Sequence, residues 1–312
     1  MTGMSLQIQE NLVLAPLTTF QIGGPAKYFV EVRNEDEIRE ALRWAEDHRV
    51  PHIILAGGSN VLVPDEGLRA LVVRIESSNL SFNGKELTAD AGCNLLSLIR
   101  GAAFKGLGGW EKLSGIPGTL GGGVRGNAGA FGTEIKDVLV KARALNAKSG
   151  EIRGFSNSDC QFSYRHSFFK DNPDWIILSA RIKLSPIEQS VSEKLIYETI
   201  AEREKRHLQN VQAAGSFFMN PVAPPHIVKM FEEEKNVKAR EGRVPAGWLI
   251  EKIGMKGAIE GGATASIQHP NYLVNMGKAS SGDVRHLAEK IKHAVMSKFG
   301  ILLEEEAIEL SS

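Results

Sequence analysis

Cysteine is scarce in this chain: its 312 residues hold only Cys93 and Cys160. The two lie far apart and outside any metal-ligand spacing, which argues against a disulfide framework or a zinc site and fits a reducing compartment. Net charge is missing too, with 37 basic side chains against 37 acidic ones. No bulk field would therefore draw the protein onto nucleic acid or an anionic membrane. No apolar run approaches the roughly 20 residues of a membrane span. The opening MTGMSLQIQENL has neither a basic leader nor an apolar signal core. A soluble cytoplasmic protein is expected, with no membrane insertion and no nucleic-acid partner. Also absent are the Lys-Ser/Thr ending of a P-loop, the G-x-G-x-x-G dinucleotide fingerprint and the G-x-S-x-G nucleophile elbow. No internal repeat or low-complexity segment occurs.

Glycine, by contrast, is concentrated. Ser114 to Gly132, SGIPGTLGGGVRGNAGAFG, holds eight in nineteen residues. Each would cost a regular element about 0.5–1 kcal/mol. The run therefore predicts a loop whose turns at φ > 0 let backbone N–H groups converge on phosphate oxygens. Ile116, Leu120, Val124 and Phe131 between the glycines favour a packed loop over a flexible one. A shorter element, HIILAGGSNVLV from His52 to Val63, reads as strand, tight polar turn, strand. Gly57 and Gly58 would permit the turn. Ser59 and Asn60 could donate to a ligand, although the same four residues also suit a plain turn.

A length of 312 residues exceeds one ordinary core, so two or three domains are expected. Lys27–Val32 alternates as a strand, and Glu35–Arg49 carries Ile38, Leu42 and Ala45 at helical spacing ahead of a strand at His52–Ala56. Further strands are predicted at Ala70–Ile75, Glu86–Ala91, Val138–Ala147 and Trp175–Leu184, with a helix at Asn94–Lys105 opened by Asn94. From Ser190 the character changes. Val191–Gln209 reads as a long charged amphipathic helix, and prolines follow it, which places a boundary near residue 190. The last third predicts helices at His226–Lys235, Trp248–Ile253 and Ser281–Phe299, a short strand at Asn271–Asn275 and a closing strand at Leu302–Leu310.

Three groups stand out at seams between elements. Arg165 in FSYRHSFF could stack on the surface or serve a site. Ser216 in AAGSFFMNP could be a buried hydrogen-bonded serine or a reactive one. Glu304, Glu305 and Glu306 could be a solvated run, but in a strand Glu304 and Glu306 would face one side and Glu305 the other.

Together these residues resemble one family, the UDP-N-acetylenolpyruvoylglucosamine reductases (MurB), flavoenzymes of peptidoglycan precursor synthesis. LTTFQIGGPAKYFVEV, AGGSNVLV, SGIPGTLGGGVRGNAGAFG, FSYRHS, GSFFMNP, AGWLIEKIGMKGAIEGGATAS, HPNYLVN and LEEEAIEL follow in family order over nearly the whole chain. The resemblance implies an α+β protein. Residues 1–75 and 76–190 would form two α/β FAD-binding subdomains of the vanillyl-alcohol-oxidase and p-cresol-methylhydroxylase type. Residues 191–300 would form an α+β substrate-binding domain, and 301–312 would return near the flavin.

The same resemblance implies FAD held by Gly57, Gly58, Ser59 and Asn60 and, in the long loop, by Ser114, Gly115, Ile116, Pro117, Gly118, Thr119, Gly122, Asn127, Gly129 and Ala130. NADPH would give hydride to FAD, and reduced flavin would give it to C3 of the enolpyruvyl ether. Ser216 would protonate C2, while Arg165 and Glu306 would stabilise the charge between C2 and the carboxylate. Asn220, His269 and either Lys205 or Arg206 would meet the sugar nucleotide. No metal is implied, the partners are small molecules, and a monomer is expected.

The chain departs from the family pattern in three places. Met219 replaces a common lysine, which would loosen substrate binding. Glu305 and Ala307 replace a proline and a valine, which could shift Glu306. The stretch from Arg165 to Ser216 shows no tyrosine-loop insertion, so an open-mouthed site of the shorter subtype is expected. The rivals are a flavin oxidoreductase with another acceptor and a nucleotide-binding protein without turnover.

Overall fold

The first sheet of the computed structural model, which describes residues 6–205 and 211–312, is built from Val/Ile/Leu-rich segments. Its strands run in the order Gln9–Val13, Pro25–Val32, Leu68–Ile75 and His52–Leu55. The first pair is antiparallel and the other two pairings are parallel. Parallel neighbours need a crossover, and α1 (Glu35–Asp47) supplies one. Asn34 caps it by accepting from Glu37 N, and Ile38, Ala41 and Ala45 form its buried stripe. Because side chains alternate along a strand, Leu71 and Val73 face one cluster while Val72 faces another with Leu14, Phe29 and Leu55.

The second sheet is antiparallel, in the order Ile152–Ser156, Leu139–Asn146, Trp175–Lys183, Glu86–Asp90 and Leu80–Asn83. Leu87, Ala142 and Ala180 share a buried cluster with Val30, Val32, Leu71 and Val73 of the first sheet, so the two sheets have a common core. Helix α2 (Leu95–Phe104) starts where Asn94 accepts from Ser97 N. Helices α3 (Leu120–Gly126), α4 (Phe168–Asp171) and α5 (Gln189–Lys205) follow. The last third carries α6 (Pro225–Lys235), α7 (Ala246–Lys252) and α8 (Ser281–Phe299). They pack with a three-stranded sheet of Ile259–Glu260, Ala263–Ala265 and Leu273–Asn275.

Several expectations change. The glycine-rich stretch is not all loop, because α3 spans Leu120–Gly126 with four glycines inside. Close packing sets the need for them: a Cβ on Gly121 would stand 2.7 Å from Ala91 Cβ. Thr119 caps α3 by accepting from Gly122 N, and Asn127 ends it in the left-handed region.

The closing segment is also not one strand. Only Ile308–Glu309 is extended, pairing in parallel with Val61–Leu62, and a bend at Glu306 and Ala307 breaks the alternation. Glu304 is accordingly exposed while Glu306 turns inward. The stripe on α5 is narrow, with only Ser192 and Ile196 buried. Ser192 Oγ donates to Glu111 Oε1, and Ile196 joins the core shared by the first two sheets. Packing against that core therefore continues through Ile196 of α5.

Candidate functional site

Two glycine turns meet face to face. Gly57 approaches Gly118 so closely that a Cβ on it would lie 2.7 Å from Gly118 Cα. Gly58 and Gly118 hold φ of 63° and 120°, the region glycine adopts without strain. The side-chain donors expected to serve a ligand are spent on the protein instead. Ser59 Oγ donates to Pro117 O (2.9 Å) and Asn60 Nδ2 to Glu306 O (2.9 Å). What stays open is backbone: among the described residues, no protein acceptor takes the N–H of Gly57, Gly58, Ser59, Asn60, Gly118 or Thr119. All six residues line one cavity of about 610 Å³. Convergent free N–H groups beside turns with no side chain in the way suit the pyrophosphate of an extended dinucleotide.

The reactive side chains stand on the same cavity. Arg165, Ser216 and Glu306 line it together, with Arg165 Nε donating to Glu306 Oε1 at 2.6 Å and Nη2 to Gly129 O at 2.9 Å. Arg165 takes φ 57°, a strained choice for a residue with a long side chain. Backbone pairing ties the group together. Glu306 N donates to Phe217 O (2.7 Å) and Met219 N to Glu304 O (2.9 Å), so the segment after Ser216 lies antiparallel to the closing segment. Asn271, 1% exposed, pins the other side: its amide accepts from Phe218 N and donates to Phe218 O, and its carbonyl accepts from Phe217 N. Thr19 Oγ1 donates to both Ser59 O and Ala213 O, linking the first turn to the Ser216 segment. Glu305 and Ala307 stand at the altered positions, yet Glu306 still reaches Arg165. Glu305 instead pairs with Lys292 at 2.7 Å.

Burial governs the protonation of this group. It pushes the Glu306 carboxyl above the usual carboxylate range, with Arg165 and Lys170 only partly offsetting it. Burial also opposes the Arg165 charge, but Glu306 and Tyr164 more than restore it, and the guanidinium is held above its ordinary value. The phenols of Tyr164 and Tyr272 are raised by burial.

The other expected site residues divide. Ile116, Pro117, Thr119, Gly122 and Gly129 line the cavity; Ser114, Gly115, Asn127 and Ala130 do not. Asn127 is fully buried and structural: Nδ2 donates to Glu134 Oε2 and Ser163 O, and Oδ1 accepts from Lys136 N. Asn220 and His269 stand off the cavity wall. Asn220 Oδ1 accepts from Ala246 N, and His269 meets the Tyr272 ring edge-on at 5.0 Å. Lys205 is exposed and Arg206 lies outside the described residues.

Among the charged and aromatic residues of the lining, Arg125, Lys170, Arg203 and Tyr272 were not anticipated from the sequence. Arg125 and Lys170 lie inside motifs already singled out, GGVRGN and SFFK, and their charge among glycines and aromatics was the available signal. Tyr164 was missed as well. It lies between the guanidinium groups of Arg165 (5.1 Å) and Arg243 (4.5 Å), and its hydroxyl accepts from Asn220 N.

Two family models match the chain: an FAD binding domain over residues 26–156, and the UDP-N-acetylenolpyruvoylglucosamine reductase C-terminal domain over 206–309. A protein of Solibacter usitatus named UDP-N-acetylenolpyruvoylglucosamine reductase is 36% identical over 305 residues, 97% of this chain and 96% of its own. One of Pseudomonas putida with the same name is 35% identical over 336 residues, covering 97% and 99%. The crystal structure of the reductase (MurB) from Thermus caldophilus superposes with a TM-score of 0.78 at 29% identity, covering 97% of this chain and 99% of that one. With the α+β architecture and the FAD-binding domain in place, the chain belongs to the UDP-N-acetylenolpyruvoylglucosamine reductase family of oxidoreductases.

Proposed function

We propose that the protein uses NADPH to reduce UDP-N-acetylglucosamine enolpyruvate to UDP-N-acetylmuramate, with Ser216, Arg165 and Glu306 acting on the enolpyruvyl group. The observation that carries this is the Arg165–Glu306 pair at 2.6 Å on the same cavity wall as Ser216 and the open glycine turns. FAD bound there would supply a centre that accepts hydride from NADPH and passes it on. Gly57, Gly58, Ser59, Asn60, Gly118 and Thr119 would hold its pyrophosphate through backbone N–H groups.

Hydride addition at C3 of the enolpyruvyl ether leaves an electron pair on C2, spread into the neighbouring carboxylate. Arg165, kept charged by Glu306, stabilises that charge where it develops. The Ser216 hydroxyl gives its proton to C2; a serine is a weak acid, but a carbanion-like carbon held against it is a strong base. The raised Glu306 carboxyl accepts the Arg165 hydrogen bond and can hold a proton for return to the site. Asn220 offers its Nδ2 to the sugar nucleotide, since its Oδ1 is already engaged. His269 and Arg206, the latter outside the described residues, would add to that contact. The protein works as a cytoplasmic monomer on small molecules; separately, no helix among the described residues is long and apolar enough to cross a membrane.

Anaerobic addition of NADPH and then of UDP-N-acetylglucosamine enolpyruvate tests this. NADPH should bleach the flavin band, and the enolpyruvate should restore it. Ser216→Ala should bleach normally and lose restoration by about 10²-fold or more. A bleached flavin that the enolpyruvate does not reoxidise would point to another acceptor, and a protein that takes up no FAD would end this reading.

A further inference from the structure

The wall of the cavity carries four cations, Arg125, Arg165, Lys170 and Arg203, against a single carboxylate, Glu306. Arg165 is matched by Glu306, and Arg203 meets the Tyr272 hydroxyl. Arg125 and Lys170 have no carboxylate within ion-pair distance among the described residues, yet both are half-buried on the cavity wall. A half-buried cation with no counter-charge loses hydration without return, unless an anion arrives with a ligand. Burial accordingly pulls both groups below their ordinary pKa ranges; for Lys170, Glu306 and the neighbouring Asp171 offset this only in part, and Arg125 and Arg165 add to it.

Their place along the cavity narrows the choice of anion. Arg125 lies in the last turn of α3, and the helix's cap Thr119 and its Gly122 and Gly126 also line the cavity, a face bare enough for a flat ring to lie on. Its carbonyl accepts from Ser167 Oγ at 2.6 Å, which joins the end of α3 to the segment carrying Arg165 and Lys170. Lys170 is within electrostatic reach of Glu306, Arg125 and Arg165. The two unmatched charges thus lie toward the Arg165–Glu306 end, where the redox chemistry is proposed. A hydride carries two electrons and one proton, so a neutral isoalloxazine that accepts one becomes a monoanion until a second proton is taken up from water.

We propose that Arg125 and Lys170 are the counter-charges for that reduced, anionic isoalloxazine and raise the two-electron potential of the bound FAD. The proposal rests on FAD being the cofactor. The other ionisable groups facing the cavity are His52, Tyr272, Arg165, Arg203 and Glu306, and none of the three besides Arg165 and Glu306 adjoins that end of α3 through a contact described above.

The test is anaerobic redox titration of the purified holoprotein against reference dyes across a pH series, beside the dissociation constant of oxidised FAD. It is run for the parent, Arg125→Met, Lys170→Met and the conservative Arg125→Lys. Each methionine variant should bind oxidised FAD within about threefold of the parent. Its preference for reduced over oxidised flavin should fall tenfold or more, read as a drop of about 30 mV or more for a two-electron couple. The pH at which the potential changes from about 60 to about 30 mV per pH unit should move upward, because the ring anion has lost its counter-charge. Arg125→Lys should recover most of both changes. Weakened oxidised-FAD binding with an unmoved potential would assign the cations to the pyrophosphate and overturn the proposal. An unmoved potential and affinity would overturn it too, leaving Arg125 as a cation that complements the end of α3. Failure of the parent to bind FAD would instead overturn the function reading beneath it.

Discussion

Glu306 lies on the cavity wall with its carboxyl held above the usual range by burial. The sign of its effect on stability follows. Between its ordinary value of 4.5 and its higher folded value, the folded state keeps a proton that the unfolded state has released. The group's contribution is therefore full below the ordinary value and is lost as pH rises through the folded one. Glu306→Gln cannot ionise, so its stability relative to the parent should climb with pH across that window. Urea denaturation of both proteins from pH 4 to 7 checks this, and a constant difference would mean that folding leaves the ionisation of Glu306 unshifted. Asn271 gives a second case. Replacing it with Ala leaves the main-chain N–H and C=O of Phe218 without partners in a buried site, an expected cost of about 2–4 kcal/mol. Chemical denaturation measures that cost, and a loss under about 1 kcal/mol would show that water or a shifted backbone replaces the amide. Arg165, Ser216 and Glu306 stood out in their motifs, and they come together on one cavity wall. Asn271 did not stand out, because a buried asparagine serving one turn looks like any polar residue before a strand.

Among the elements, the glycine stretch shows what sequence statistics miss. Density alone predicted a loop, since propensity is a sum over single residues. The helix forms because Thr119 caps it and tertiary packing outweighs propensity. Gly121→Val should therefore do more harm than a propensity scale implies. Its side chain would start 2.7 Å from Ala91 Cβ and 3.1 Å from Ala91 O, so α3 must lift off and carry Gly122 and Arg125 away from the cavity wall. Expected outcomes are a loss of about 3 kcal/mol or more and loss of bound flavin, read by calorimetry and by absorbance after gel filtration. Retained flavin in a stable variant would mean that α3 is free to move. Elements with strong periodicity, α1, α2 and α8, were legible almost to the residue. The Gln9–Val13, Leu80–Asn83 and Ile152–Ser156 strands were not predicted, as short edge strands bury too little to leave a clear alternation.

Across the whole molecule, the last third looked like an independent domain, yet its core borrows from the start of the chain. Phe20, Ile22 and Leu62 sit in one cluster with Phe217, Val244, Leu249 and Leu287. Asn275 Nδ2 donates to Phe20 O, and Asp65 accepts from Ser281 N and Oγ at the head of α8. The parallel Ile308–Glu309 strand adds the reverse traffic by pairing with Val61–Leu62. These contacts join residues some 200 positions apart, and no local pattern announces them. They also place Ser216 and Glu306 against the first glycine turn, so the cavity needs all three parts at once. Residues 211–312 expressed alone should therefore lack cooperative unfolding and show poorly dispersed amide spectra, since Phe20 and Ile22 are almost wholly buried in the full chain and their removal opens that core. Adding a separately expressed 1–205 fragment should restore both the dispersion and FAD binding, if association supplies the missing contacts. A folded, cooperative 211–312 fragment would show that the borrowed side chains only position this part for the site and are not needed to hold its fold.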